Sequence, residues 1–359
     1  MTTAPVPDQY RSPSDPSTDP STETPRTSGT QIDGDFPVPT AGMVLHRVLA
    51  GAARTFLLND MDTEVEDTGE DAEQYGTVDA RSVMGIPPEW ARYAATALDD
   101  AQRRTSATER IHQSRVALRR IRSNLRTFRL VLHPAWGTSL RAELAWYGGR
   151  LGQARDLHIL GQVIADHGPH AMGADQLAEV QSVVAARMAS ALADIASVRG
   201  GARRFQLTEQ MMVLWDGPAF KAKADRPARD VLPVMLQRAW HDVRGAARAA
   251  RKEASEANLH KLRIRVKDLR YGCETVALIE GGPARKTAKA AERLQTKLGD
   301  LHDVYFSIAW LADLAEERRD LSDPVERLSA LQRDAVAATR RGWKGELKEV
   351  ERRWRRWQG

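Results

Sequence analysis

Ile111-His112-Gln113-Ser114-Arg115-Val116-Ala117-Leu118-Arg119-Arg120-Ile121-Arg122 and Leu259-His260-Lys261-Leu262-Arg263-Ile264-Arg265-Val266-Lys267-Asp268-Leu269-Arg270 are the two stretches on which the fold turns. Counted from its histidine, each carries cations three, seven and ten residues on: Arg115, Arg119 and Arg122, then Arg263, Lys267 and Arg270. At about 100° per helical residue, these positions and the histidine fall within an arc of about 80°. Each stretch therefore reads as a helix with one cationic face. On the first helix Leu118, Ile121, Leu125 and Phe128 lie opposite the cations, so the other face can be buried. Like charges three and four residues apart repel by a few tenths of a kcal/mol per pair. Solvated faces relieve this by interleaving acids, yet no Asp or Glu occurs between Arg110 and Arg141. A polyanion would remove the repulsion.

A second short motif follows each stripe. Leu151-Gly152-Gln153-Ala154-Arg155-Asp156-Leu157 starts 39 residues after His112, and Leu298-Gly299-Asp300-Leu301-His302-Asp303-Val304 starts 38 after His260. Two motifs in the same order at the same separation make the chain a tandem duplication with a period of about 148. The aspartate of the second motif is expected to pin an arginine of the stripe, and its glycine to permit close helix approach. Arg155 could itself face the ligand, whereas the second copy has His302 there, a weaker cation.

Outward from the motifs, nearly everything after Pro87 reads as helix, rich in strong helix formers. Helices are expected near 88–104, 108–132, 138–167, 175–199, 229–253, 255–280, 284–316 and 324–357, broken at His133-Pro134, Gly168-Pro169, Gly200-Gly201, Gly281-Gly282-Pro283 and Asp323-Pro324. Long helices with short turns suit antiparallel bundles, so the class is all-α. Residues 1–40 are rich in Pro, Ser, Thr and Asp and are expected to be a disordered tail. The first half then spans 41–215, starting with apolar residues at helical spacing (Val44, Leu45, Val48, Leu49, Phe56). An acidic loop, 60–79, follows. A linker covers 216–228 and the second half 229–359. The tryptophans are expected to anchor packing, with Trp343, Trp354 and Trp357 stapling the last helix onto the bundle.

Charge is unevenly placed. Residues 1–82 hold five Arg against fifteen Asp and Glu, a balance of −10, which leaves +15 on the remainder of a chain whose net charge is +5. That separation speaks about partners, and its sign points to an acidic ligand. The single cysteine, Cys273, excludes a disulfide framework and reads as a buried thiol in a reducing compartment. No run of eighteen consecutive apolar residues appears, so a cytoplasmic protein that engages no membrane is expected.

Arginine suits phosphate because its planar fork makes paired, charge-assisted hydrogen bonds and keeps its charge. Each histidine can donate to phosphate oxygens, and a bound polyanion would favour its imidazolium, so binding should take up protons. A metal centre built from His112, His158, His260, His302, Asp156 and Asp303 is disfavoured, since arginine one turn from each stripe histidine repels a divalent cation. No phosphate-cradling glycine loop, Gly-x-Ser-x-Gly or magnesium-holding carboxylate cluster is present. Neither metal, cofactor nor catalytic activity is expected. Nucleic-acid binding and a phosphohistidine-type phosphate transfer stay open as alternatives.

Taken together, His112-x-x-Arg115-Val116-x-x-Arg119-Arg120-x-Arg122, Leu151-Gly152-x-x-Arg155-Asp156, Leu259-His260-x-x-Arg263-Ile264-x-x-Lys267-x-x-Arg270-Tyr271-x-x-Glu274 and Leu298-Gly299-x-x-His302-Asp303 resemble the CHAD family, the conserved histidine α-helical domain, over about residues 41–355. The resemblance implies two tandem antiparallel four-helix bundles related by pseudo-twofold symmetry, with a basic central pocket or pore that binds inorganic polyphosphate. It also implies association with polyphosphate granules. Carried over by position, His112, Arg115, Arg119, Arg122, His260, Arg263, Lys267 and Arg270 become the polyphosphate contacts, with Arg120, Arg126 and Arg265 supporting. The triphosphatase partner domain of some members is not expected, because Glu64-Val65-Glu66 is followed by Asp67-Thr68 where that signature needs lysine. The acidic stretch 60–79 departs from the family pattern and is expected to mask the basic surface when no ligand is bound.

Overall fold

Both stripes are helical, and the apolar side of the first is as buried as its periodicity demands: Leu118, Ile121, Leu125 and Phe128 are at most 1% exposed. The computed structural model describes residues 38–60, 107–340 and 342–358. Among them are ten α-helices and no strand. They are α1 (Ala41–Asp60), α2 (Ala107–Thr127), α3 (Pro134–His167), α4 (Ala174–Arg199), α5 (Ala202–Asp216), α6 (Ala228–Lys252), α7 (Glu256–Glu280), α8 (Gly282–Glu317), α9 (Ser322–Thr339) and α10 (Trp343–Gln358). The stripes lie on α2 and α7, and the Leu-Gly motifs on α3 and α8.

Helix ends follow local chemistry. Pro134 starts α3 at a position where its missing N–H costs no bond. Gly281, at φ 67°, lets α7 stop and α8 start without an intervening loop. The break expected at Asp323-Pro324 falls just before it, at 318–321, and Pro324 sits in the first turn of α9, where proline is tolerated. The expected single helix 324–357 is two, parted at Gly342, whose carbonyl accepts from the Gly345 amide at 3.2 Å. Helix α5 was not expected after Gly200-Gly201. Its buried side, Arg204, Leu207, Met211 and Leu214, is short and includes a charge, so hydrophobic periodicity alone hides it. The expected helix 88–104 and the tail up to residue 37 lie outside the described residues, as does the acidic stretch beyond its first member. That first member, Asp60, ends α1 and is buried. It accepts from Tyr147 Oη at 2.7 Å and from Arg204 Nε at 2.8 Å.

Neighbours in sequence pack as neighbours in space: α1 on α2 and α5, α2 on α3, α3 on α4, α6 on α7, α7 on α8, and α8 on both α9 and α10. The two duplicated parts meet where α2 lies against α7. As residue numbers rise along α2 they fall along α7, since Arg120 pairs with Glu274 and Arg126 with Asp268. Gly272 of α7 lies close both to α2 and to α6. A Cβ there would come within 2.4 Å of Leu236 Cδ2 and 3.2 Å of Thr127 Cγ2. Buried polar groups match across the same contact, where Thr275 Oγ1 donates to Asn124 Oδ1 at 2.8 Å.

The main hydrophobic core runs through both parts, from Leu45 and Phe56 of α1 to Trp343 and Trp354 of α10. A smaller core joins the far ends of α3 and α8 through Leu160, Ile164, Leu311 and Leu314. The segment between the parts is pinned. The Ala41 amide donates to the Arg226 carbonyl and the Ala228 amide to the Pro39 carbonyl, both at 2.9 Å, and the Lys221 amide donates to the Val131 carbonyl at 2.9 Å. By length and composition α1 could cross a membrane, but its apolar side is spent on α2 and α5.

Candidate functional site

The two cationic faces do not form one uniform surface. Tertiary packing sorts the twelve candidate residues, eight of them placed by spacing, into three groups, according to which carboxylates stand across from them.

The first group combines the early parts of both stripes. Arg115 reaches over α3, donating to the Gly152 carbonyl at 3.2 Å and to Asp156 Oδ1 at 3.3 Å. This is the pinning aspartate expected from the motif. The glycine works differently from expectation: what lies over it is the Arg115 guanidinium, not a second helix. A Cβ at Gly152 would stand 3.7 Å from Arg115 Nη2, an ordinary contact, and one at Gly299 would stand 3.8 Å from Arg263 Nη2. The two copies thus seat their arginines in the same way. Arg115, Arg119, Arg263 and Lys267 all lie within reach of one another's charge, with Asp156 and Asp303 as the nearby carboxylates. His112 and Arg155 border the cluster on the first copy, and His260 with His302 on the second, their rings 5.0 Å apart.

Charge is crowded here, and the protonation equilibria register it. Burial, followed by Arg263, Arg119 and Arg115, pushes the Lys267 ammonium down to about 6. His302 falls to about 4 through burial and then Arg263, His260 and Lys267. His112 is lowered by partial burial and Arg155, His260 by partial burial and Arg263. Asp303 is raised by burial despite Arg263 beside it. Nε of Arg119, Nε of Arg263 and Nδ1 of His302 are buried without a hydrogen-bond partner among the described residues. Buried donors left unpaired are costly, and several converging in one place mark a site that an acceptor-rich ligand completes.

The second group lies further along. Arg126 holds buried Asp268 at 2.7 Å, and Arg265 stands 3.6 Å from Asp242 and 3.8 Å from Asp268. Arg122 is depressed by burial and then by Arg126 and Arg141. Arg141 was not singled out by sequence because it stands alone near the start of α3. Only the fold delivers it to Arg122. The third group, Arg120 and Arg270, shares Glu274: Arg120 pairs with it across the α2–α7 contact and Arg270 Nε reaches it at 2.8 Å, with Glu292 a further partner of Arg270 at 2.6 Å. Both guanidiniums lie over the Tyr271 ring. These two are neutralised within the protein. Sequence reading also left His302 and Asp303 out of the contact set, although their place in the second Leu-Gly motif was the signal for them.

Among the described residues no cluster of three or more His, Cys, Asp or Glu side chains could hold a metal ion. What remains is a half-buried set of fixed cations and imidazoles under-supplied with carboxylates, suited to an anion with many oxygens.

A CHAD domain family model matches residues 91–312. Among solved structures the chain is similar to PptA from Streptomyces chartreusis, at 18% identity and a TM-score of 0.62, covering 86% of this chain and 99% of that one. It is similar also to the CHAD domain from the plant Ricinus communis, at 19% identity and a TM-score of 0.61, with 87% and 92% covered. At such identities the likeness concerns the fold. No curated protein matches the chain in sequence.

Proposed function

This chain belongs to the CHAD domain family, and from that premise we propose that it is a non-enzymatic binder of inorganic polyphosphate, a property known of the family. One observation carries the reading to particular residues: Arg115, Arg119, Arg263 and Lys267, brought from two stripes 148 residues apart, converge with Asp156 and Asp303 as the carboxylates beside them among the described residues. The guanidinium Nε atoms of Arg119 and Arg263 have no hydrogen-bond partner among the described residues. Polyphosphate offers closely spaced oxygens and no bases, so paired charge-assisted hydrogen bonds supply the affinity. His112, Arg155, His260 and His302 border the same place and add donors. Arg122, Arg126, Arg141 and Arg265 extend the cationic path, with Asp268 holding it together in the absence of ligand. Arg120 and Arg270 position α2 against α7 through Glu274. The protein works in the cytoplasm on this reading, at polyphosphate granules, and leaves the chain it binds intact.

The test is a titration with long-chain polyphosphate, challenged with duplex DNA at equal phosphate concentration. Polyphosphate should win by a wide margin, and an R115A/R263A variant should lose most of the affinity while keeping its helical spectrum. Equal competition per phosphate would turn the reading toward nucleic acid. Release of orthophosphate that disappears in an H112A/H260A variant would establish an enzyme instead.

A further inference from the structure

Away from the central cluster, α6 and α10 enclose a groove of 430 Å³ lined by Trp240, Arg244, Arg248, Arg251, Glu351 and Arg355. Arg244, Arg248 and Arg251 follow one face of α6 at helical spacing, about 6 Å and then about 4.5 Å apart along the axis. The only carboxylate in the lining is Glu351, and it is already engaged: it holds Arg251 at 2.8 Å while its main-chain carbonyl accepts from Arg355 Nε at 3.3 Å. Arg244 and Arg248 have no carboxylate within ion-pair distance among the described residues. Elsewhere on α10 the chain does supply partners, since Glu349 holds Arg352 at 2.6 Å and Arg353 at 2.7 Å. The dipole at the C-terminus of α6 favours cations in the last turn, which accounts for Arg251 and Lys252 but not for Arg244 and Arg248 further in. Both are exposed, and the repulsion along this face is left for a ligand to relieve.

We propose that this groove is a second binding site for inorganic polyphosphate, so that one molecule grips two stretches of the polymer. The inference rests on the function proposed above. Its chemistry favours a polymer of phosphates over a nucleic acid. Single-stranded nucleic acids need a run of free aromatic faces for successive bases, whereas the groove lining holds one indole, Trp240, with one face already stacked on Trp354 at 5.2 Å. The groove offers four guanidiniums against a single indole. Two separated sites on one protein would cross-link long chains, because the second contact gains from the effective concentration set by the first.

Binding stoichiometry decides it. Short-chain polyphosphate is titrated calorimetrically into wild type, an R244E/R248E groove variant and an R119A/R263A central variant, with R244Q/R248Q as a milder groove change and circular dichroism to confirm folding. Wild type should take two chains per molecule and each variant one, and only wild type should scatter light on mixing with long-chain polymer. A groove variant that binds as wild type does, while the central variant binds nothing, overturns the second site and leaves the proposed function standing. The reverse pattern, with all binding lost in the groove variant and none in the central one, overturns the central reading.

Discussion

Lys267 is the cation whose charge depends most on what surrounds it. Arginines keep their charge across the accessible pH range, so Arg115, Arg119 and Arg263 act as fixed positive charges against which the ammonium must be held. With its value brought down to about 6, Lys267 is mostly neutral at pH 7 in the free protein. A bound polyanion favours the charged form and raises the value again. Binding therefore takes up a proton in the window above about 6, and affinity should fall as pH rises through it, by up to about tenfold per pH unit. Below 6 the contribution flattens, because Lys267 is charged with or without ligand. K267M should remove this slope, while H112A/H260A should retain most of it, measured as affinity for long-chain polyphosphate from pH 5.5 to 9. A slope abolished by the histidine pair alone would return the role to the imidazoles. The same shift bears on stability with a definite sign. The unfolded lysine keeps its proton up to about 10.4, so between about 6 and 10 the unfolded chain binds more protons. Unliganded wild type should therefore gain stability with rising pH, by at most about 1.4 kcal/mol per unit, and K267M should not. Nothing in the spacing of the stripe announced this, since periodicity places Lys267 beside Arg263 but says nothing of Arg119 and Arg115 opposite.

At the scale of elements, the contact of α2 with α7 joins the two copies and is built from unlike parts. Asn124 and Thr275 match as neutral partners, Gly272 lets Thr127 approach, and Asp268 is the one buried carboxylate among Arg122, Arg126, Arg141 and Arg265. Removing one member of a buried pair leaves the other charge uncompensated, at a cost of about 3 to 5 kcal/mol. Arg126 keeps 27% of its side chain in solvent, which places D268A near the lower end. Urea unfolding should show a loss of about 3 kcal/mol, and an R126A/D268A double variant should lose less than the sum of its singles. Strict additivity would mean that the pair contributes nothing to holding α2 on α7. Both helices and their cationic faces were legible from the stripes, as were the Pro134 and Gly281 breaks. Helix α5 was not, because a four-residue buried face that includes Arg204 has little periodic signal until Asp60 is known to wait beneath it.

For the molecule as a whole, a shared core outweighs the duplication. Residues from both copies mix in each hydrophobic cluster, and backbone hydrogen bonds tie 219–228 to residues 39–41 and 131–133. Residues 229–359 expressed alone should lack a cooperative transition, and the intact chain should unfold in one step by both circular dichroism and tryptophan fluorescence. A separate cooperative melt of the C-terminal piece would make the copies independent domains. The excess of positive charge after residue 82 also implies that polyphosphate affinity falls with salt, by analogy with a log–log slope of about −0.7 per phosphate contacted by a single-strand binder. Sequence by itself determined the all-helical class, the two recurring motifs, and the paired cationic faces, the first backed by Leu118, Ile121, Leu125 and Phe128. These rest on periodicity, which is local and set by 3.6 residues per turn. Which cations are left under-neutralised was decided only by tertiary structure. Arg120 and Arg119 are neighbours in the chain, yet one meets Glu274 and the other faces Arg263 and Lys267. A side chain's counter-charge comes from whichever helix packs across from it, and packing, unlike periodicity, joins residues some 150 positions apart.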